Sequence, residues 1–253
     1  MALERTEEGN AKTGRVVFVD AARGVAIVLM LFYHFFFDMD YFGICRIGID
    51  SGAWLIFQRV IGTLFLLIAG ISLVLSERHN KEGYLHHLKR GLFLGGVAIL
   101  ITVATWAYPH EGYIQFGIIH LIAISTIIAP LFFQFGKWNM AFGALVIVLG
   151  LWMGQLSIDT HALFWLGITD PGYTALDHYP LLPWFGIVLI GIALGQAVFA
   201  ANKKIHGISS APVSGIYYMY VVGPLAYLGR NSLTIYLIHQ PIIIALIWLL
   251  LMR

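Results

Sequence analysis

The chain has 253 residues, 59% of them hydrophobic and 11% charged, with a formal net charge of +2. Soluble domains carry about 25% charged residues, so this composition excludes an ordinary soluble enzyme and indicates an integral membrane protein. The small positive excess sits in loops between apolar stretches and is no footprint for nucleic acid.

A helix needs about 20 apolar residues to cross the hydrocarbon core. Stretches that meet this fall near residues 16–37, 53–76, 88–108, 114–134, 138–155, 180–200 and 232–252. A shorter apolar piece, Ile216 to Leu228, reads as an interfacial or re-entrant helix. Apolar runs of this length exclude a transmembrane barrel, whose strands alternate over segments of about 10 residues. The expected fold is all-α, a polytopic membrane helix bundle of about seven transmembrane helices plus the short helix. Residues 1–15 are expected to form a cytoplasmic tail and 16–253 a single transmembrane domain.

The tail is polar and carries Arg5, Lys12 and Arg15, and the first apolar stretch is too long for the core of a cleavable signal peptide. Lys and Arg gather on the side of this tail: Arg78, Lys81, Lys89, Arg90, Lys137, Lys203, Lys204 and Arg230. The opposite loops carry Asp40, Asp50, Glu111, Asp159, Asp170 and Asp177, with Arg46 and Arg253. By the positive-inside rule the N-terminus lies inside and the C-terminus outside.

The first span holds the densest set of ionisable groups: Asp20, Arg23, His34 and Asp38. Such groups cost about 2.5–3.5 kcal/mol each at a span's centre, so they mark function by default. Arg23 and His34 are eleven residues apart, about 16 Å along the axis and close to one face. Asp20 lies three residues before Arg23, and Asp38 four after His34, so each pair shares that face. Asp38 is expected to hold the imidazole in one tautomer, as a general base requires. The plainer reading of both pairs is structural, as self-satisfied pairs near the two interfaces.

Further along, Arg59 sits in the second span and His120 in the fourth, at about the depth of His34. A lone histidine in an apolar helix is usually a hydrogen-bonded core residue. His239 and Gln240 precede Pro241 in the last span. No histidine pair has metal-ligand spacing, since His86 and His87 are adjacent, and Cys45 is the only cysteine. Gly91, Gly95 and Gly96, and Gly186, Gly191 and Gly195, recur at about a helical turn and read as packing faces, within one bundle or in a homodimer. The loop from Leu156 to Tyr179 carries Trp165, Asp170, Tyr173, Asp177 and His178. It suits either stacking on a sugar or an aromatic interfacial belt.

Four segments, in order, resemble the heparan-α-glucosaminide N-acetyltransferase catalytic-domain family in its bacterial and archaeal branch. They are Asp20-Ala21-Ala22-Arg23-Gly24-Val25-Ala26 running on to His34-Phe35-Phe36-Phe37-Asp38; Phe116-Gly117-Ile118-Ile119-His120; Pro180-Leu181-Leu182-Pro183-Trp184-Phe185-Gly186; and Leu228-Gly229-Arg230-Asn231-Ser232-Leu233 with His239-Gln240-Pro241. The Arg23-to-His34 spacing also resembles the signature of membrane acyltransferases that O-acetylate surface polysaccharides. The animal lysosomal members carry asparagine at the position matching His34, so a catalytic His34 follows the polysaccharide branch.

The resemblance implies a prokaryotic cytoplasmic-membrane enzyme that transfers acetyl from cytosolic acetyl-CoA to an amine or hydroxyl of a glycan or glycolipid outside. Arg23 and Arg230, with Asp20, His239 and Gln240, are then assigned to the coenzyme. His34 is assigned as base, with Asp38 orienting it, and His120 to the thioester oxygen or the acceptor. A proton-coupled transporter or lipid flippase built on the same buried groups is the alternative from another class, and a membrane scaffold a third.

Overall fold

The computed structural model describes residues 16–49, 51–79, 82–156, 158, 160–202 and 217–251. The expected tail lies outside these, as do Asp50, Lys81, Asp159, Lys203, Lys204 and Arg253. The helices are α1 (Val17–Tyr41), α2 (Gly52–His79), α3 (Tyr84–Ala107), α4 (Ile118–Ile128), α5 (Asn139–Met153), α6 (Leu181–Asn202), α7 (Gly223–Arg230) and α8 (Ser232–Leu251). Two 3-10 stretches, Ala129–Trp138 and His161–Leu166, and a π-turn, Tyr218–Val222, complete the elements. No strand occurs among the described residues beyond one bridge between Phe116 and His178. The protein is a polytopic helical membrane protein, as the apolar stretches require.

Among the described residues six stretches are long and apolar enough to cross a membrane, against about seven expected. The difference lies in Ile118–Met153, whose 36 residues form one continuous apolar stretch. As a straight helix it would be about 54 Å long, well beyond the roughly 30 Å hydrocarbon core. It is instead broken at Gly136 (φ 55°, ψ −126°), a left-handed conformation that favours glycine. Buried Asn139 secures the break by donating its Nδ2 to the Phe132 and Gly136 carbonyls at 2.9 and 3.1 Å. The stretch thus covers most of both segments expected at 114–134 and 138–155. The piece expected as a short interfacial helix becomes the π-turn followed by α7.

The chain forms two compact units, Met1–Phe65 with Ser209–Arg253, and Leu66–Ile208. In the first, α1 packs along α7 and also against α8. The α1–α7 approach is set by glycine: a Cβ at Gly24 would fall on the Leu225 carbonyl, and one at Gly229 on the Asp20 carbonyl. Backbones this close leave no room for a side chain at these two positions. Ile27, Met30, Tyr33, Ile49 and Ile61 form the buried core beside it, lined by Trp54, Phe57, Ile235 and Tyr236.

In the second unit α5 packs along α6 and α3 along α4. A Cβ at Gly143 or Gly186 would meet the other's carbonyl, and Gly191 lies against the Leu67 carbonyl. These glycines therefore pack within the unit. Gly95 and Gly96 differ, because nothing lies near them. They share α3 with exposed Leu92, Phe93, Ile99, Leu100, Val103 and Trp106, a face that suits lipid tails and would be a liability in water.

Candidate functional site

In the first unit the ionisable residues of α1 meet those of α7 and α8 at two places. At the beginning of α1, Arg23 donates to Asp20 Oδ1 at 2.9 Å, the i to i+3 pair that the spacing predicts. Its guanidinium also reaches the Gly229 carbonyl at 3.4 Å, across the glycine seam. Arg230, the last residue of α7, brings its Nε to 3.6 Å from Asp20 Oδ2. Two partly exposed guanidiniums thus meet at one carboxylate. This is a fit for phosphate, whose oxygens match the guanidinium fork.

Toward the other end of α1, His34 Nδ1 lies 2.9 Å from the Met30 carbonyl. A carbonyl only accepts, so Nδ1 carries the proton and Nε2 keeps its lone pair. The side chain leans back over the preceding turn, the usual direction on a helix. Asp38, expected to orient this ring, does not hydrogen-bond it. Its Oδ1 accepts instead from Gln240 Nε2 of α8 at 2.6 Å. The tautomer that a base needs is therefore set by the helix's own backbone. The neighbour of His34 is His239, whose ring stands edge-on at 4.6 Å between centroids. His239 Nδ1 donates to the Tyr236 carbonyl at 2.6 Å, so its Nε2 is likewise unprotonated. His239 and Gln240, expected at the coenzyme, thus lie beside His34 and Asp38.

In the second unit His120 has a different occupation. The Gly117 N–H donates to His120 Nδ1 at 3.2 Å, so Nε2 carries the proton and faces Thr102 Oγ1 at 3.1 Å. The Thr102 hydroxyl in turn donates to the Ile114 carbonyl at 2.7 Å. With His120 three residues into the helix after Gly117, this is the reciprocal half of a capping box at the α4 N-terminus. Both ring nitrogens are used. A hydrogen bond from His120 to a thioester oxygen would require opening this chain, so the ring as placed orders the α3–α4 loop.

The same N-terminus is capped from the long loop, where Asp177 Oδ2 accepts from the Ile118 N–H at 2.9 Å. Backbone bonds from Leu176 N to Gly112 O at 2.8 Å and from Tyr179 N to Phe116 O at 3.0 Å stitch that loop to the α3–α4 loop. On it the Tyr173 hydroxyl and His178 Nδ1 pair at 3.4 Å. Burial lowers His178 to about 4. Burial, then Tyr113, Asp170 and Asp177, raises Tyr173 to about 12. His178 is therefore neutral in the fold, whereas a freed histidine takes a proton below its ordinary 6.5. Its contribution to stability is complete above pH 6.5 and is lost progressively as pH falls toward 4. Thermal unfolding at pH 7.5 and pH 5 checks this: the wild type loses stability at pH 5, and His178→Phe loses less.

Sequence reasoning missed Thr102 and the Met30 carbonyl. Nothing in an apolar helix marks which threonine faces a histidine. The capping role of His120 was readable, because Gly117 precedes it by the capping-box interval.

The family described as heparan-alpha-glucosaminide N-acetyltransferase, catalytic, matches the chain over residues 15–241. No curated protein and no solved structure matches it.

Proposed function

We propose, because the chain belongs to the heparan-alpha-glucosaminide N-acetyltransferase catalytic family, that this membrane acetyltransferase moves an acetyl group from cytosolic acetyl-CoA to an amine or hydroxyl of a glycan or glycolipid outside the membrane. The observation that carries the reading is the His34 tautomer. A ring fixed by its own helix with Nε2 unprotonated is ready to accept a proton from an attacking N–H or O–H. His34 takes that proton as the nucleophile attacks the thioester carbonyl, and the proton then passes to the departing thiolate. Asp20, Arg23 and Arg230 serve the coenzyme's phosphates, with Asp20 holding both guanidiniums in place. His120 acts as a positioning residue for the loop that it caps.

The excess of Lys and Arg on the N-terminal side supports coenzyme entry from the inside. In sealed vesicles, acetyl-labelled acetyl-CoA supplied only on the side of the N-terminus is expected to label an amino sugar present only on the other. Transfer that requires both substrates on one side would overturn the sidedness. Arg230→Ala is expected to raise the KM for acetyl-CoA about tenfold with little change in kcat, the size of one charge-assisted hydrogen bond lost. An unchanged KM would remove Arg230 from the coenzyme site.

A further inference from the structure

Most arginines on the described helices are engaged within the chain. Arg23 and Arg230 meet Asp20, and Arg78 donates to the Phe199 carbonyl and lies over the Phe199 ring. Arg90 also has a partner. Arg59 on α2 is the exception. It is exposed, and among the described residues no hydrogen bond, ion pair or ring contact reaches it. A charged side chain at the centre of a span costs about 2.5–3.5 kcal/mol, so an intramembrane arginine calls for a partner.

Arg59 lies seven residues after Gly52, about 10 Å along α2. From that depth a long side chain carries its charged head to the level of lipid headgroups. Residues 42–51 join α1 to α2, so this is the end of the bundle where His34 sits, seven residues before Tyr41. The Phe57 and Tyr33 rings, 6.3 Å apart, pack α2 on α1 at the same level. Arg59 follows Phe57 by two residues, about 200° round the helix, and so faces away from α1. Its neighbours on that side are Ile56, 65% exposed, and Val60, 47% exposed. A guanidinium flanked by bare apolar side chains suits a molecule with an acidic head and hydrocarbon chains.

The charge around it agrees. The α1–α2 loop adds Arg46, exposed and likewise without a partner among the described residues. The described carboxylates at this end of α1 are engaged elsewhere. Asp38 is buried against Gln240, and Asp40 accepts from the Ile47 and Gly48 N–H groups. The planar fork of guanidinium N–H donors matches the oxygens of a phosphate.

We propose that Arg59 binds the phosphate of an anionic phospholipid in the leaflet at the His34 end of the bundle, with the acyl chains along Ile56 and Val60. A soluble phosphate ester carries no chains and forfeits that apolar contact. The site does not depend on the acetyl-transfer reading.

The test is native mass spectrometry of the purified full-length protein with phosphatidylglycerol, with phosphatidylcholine of the same chains, and with glycerol phosphate. The wild type is expected to retain phosphatidylglycerol about tenfold or more over phosphatidylcholine, the size of one charge-assisted hydrogen bond. Arg59→Gln loses that preference, and Arg59→Lys, which keeps the charge without the fork, retains part of it. Lys89→Gln removes a cation on α3, beyond the far end of α2, and leaves the preference intact. In thermal unfolding the same lipid raises the Tm of the wild type and not that of Arg59→Gln. Equal retention of the two lipids, an unchanged preference in Arg59→Gln, or an equal loss in Lys89→Gln overturns the site. Glycerol phosphate held as tightly as the lipid overturns the assignment to a lipid.

Discussion

His34→Ala lowers the rate of acetyl transfer by about 10²–10⁴-fold, the range contributed by a positioned base, while the protein still folds. The ring lies at the α1–α8 contact and its Nδ1 bond is to a carbonyl of its own helix. That carbonyl keeps its place in the α1 hydrogen-bond ladder when the ring is removed, so no buried backbone group is orphaned. Acetyl-CoA binding is expected to persist, because the arginines assigned to it lie near the other end of α1. Loss of transfer with coenzyme binding retained is therefore the signature. Single-turnover transfer and coenzyme titration on one preparation measure both. Transfer near the wild-type rate in His34→Ala would place the base elsewhere.

The second large effect is on folding. Gly229→Val puts a branched side chain on the Asp20 carbonyl, and Gly24→Val does the same against Leu225. The obstacle in each case is backbone, which cannot swing aside as a side chain can. Relief requires α1 and α7 to separate along the seam, where Ala21, Val222 and Ala226 pack. Overpacking costs about 1–3 kcal/mol where side chains yield, and more is expected here. Either variant should give little or no monodisperse protein. Gly95→Ala and Gly96→Ala, where nothing lies near the new methyl, should be folded and gain about 0.5–1 kcal/mol from helix propensity. Size-exclusion profiles and thermal unfolding compare the four. Folded Gly229→Val with wild-type stability would contradict the close α1–α7 seam.

What was legible in the sequence was what a single helix encodes. The Asp20–Arg23 pair follows from an interval of three on α1, and the apolar stretches give the helical membrane class without further help. The break at Gly136 was legible as well, because Gln134, Gly136 and Lys137 interrupt the apolar run between the spans expected at 114–134 and 138–155. The partner of Asp38 was hidden: intervals of three and four name only neighbours on one helix, whereas Gln240 arrives from α8. Local spacing therefore gave His34 an orienting carboxylate, although the Met30 carbonyl one turn back already fixes the ring. His239 and Gln240 were visible as polar residues in the last span, but their place beside His34 depends on how α8 packs on α1.

The central claim is tested most directly by following free thiol released from acetyl-CoA by purified protein in the presence of an amino-sugar acceptor. Release matched by acetylated acceptor in the wild type, and reduced at least about a hundredfold in His34→Ala, is the predicted result. No thiol release from folded wild-type protein, or equal release from the two proteins, would contradict an acetyltransferase with His34 as its base.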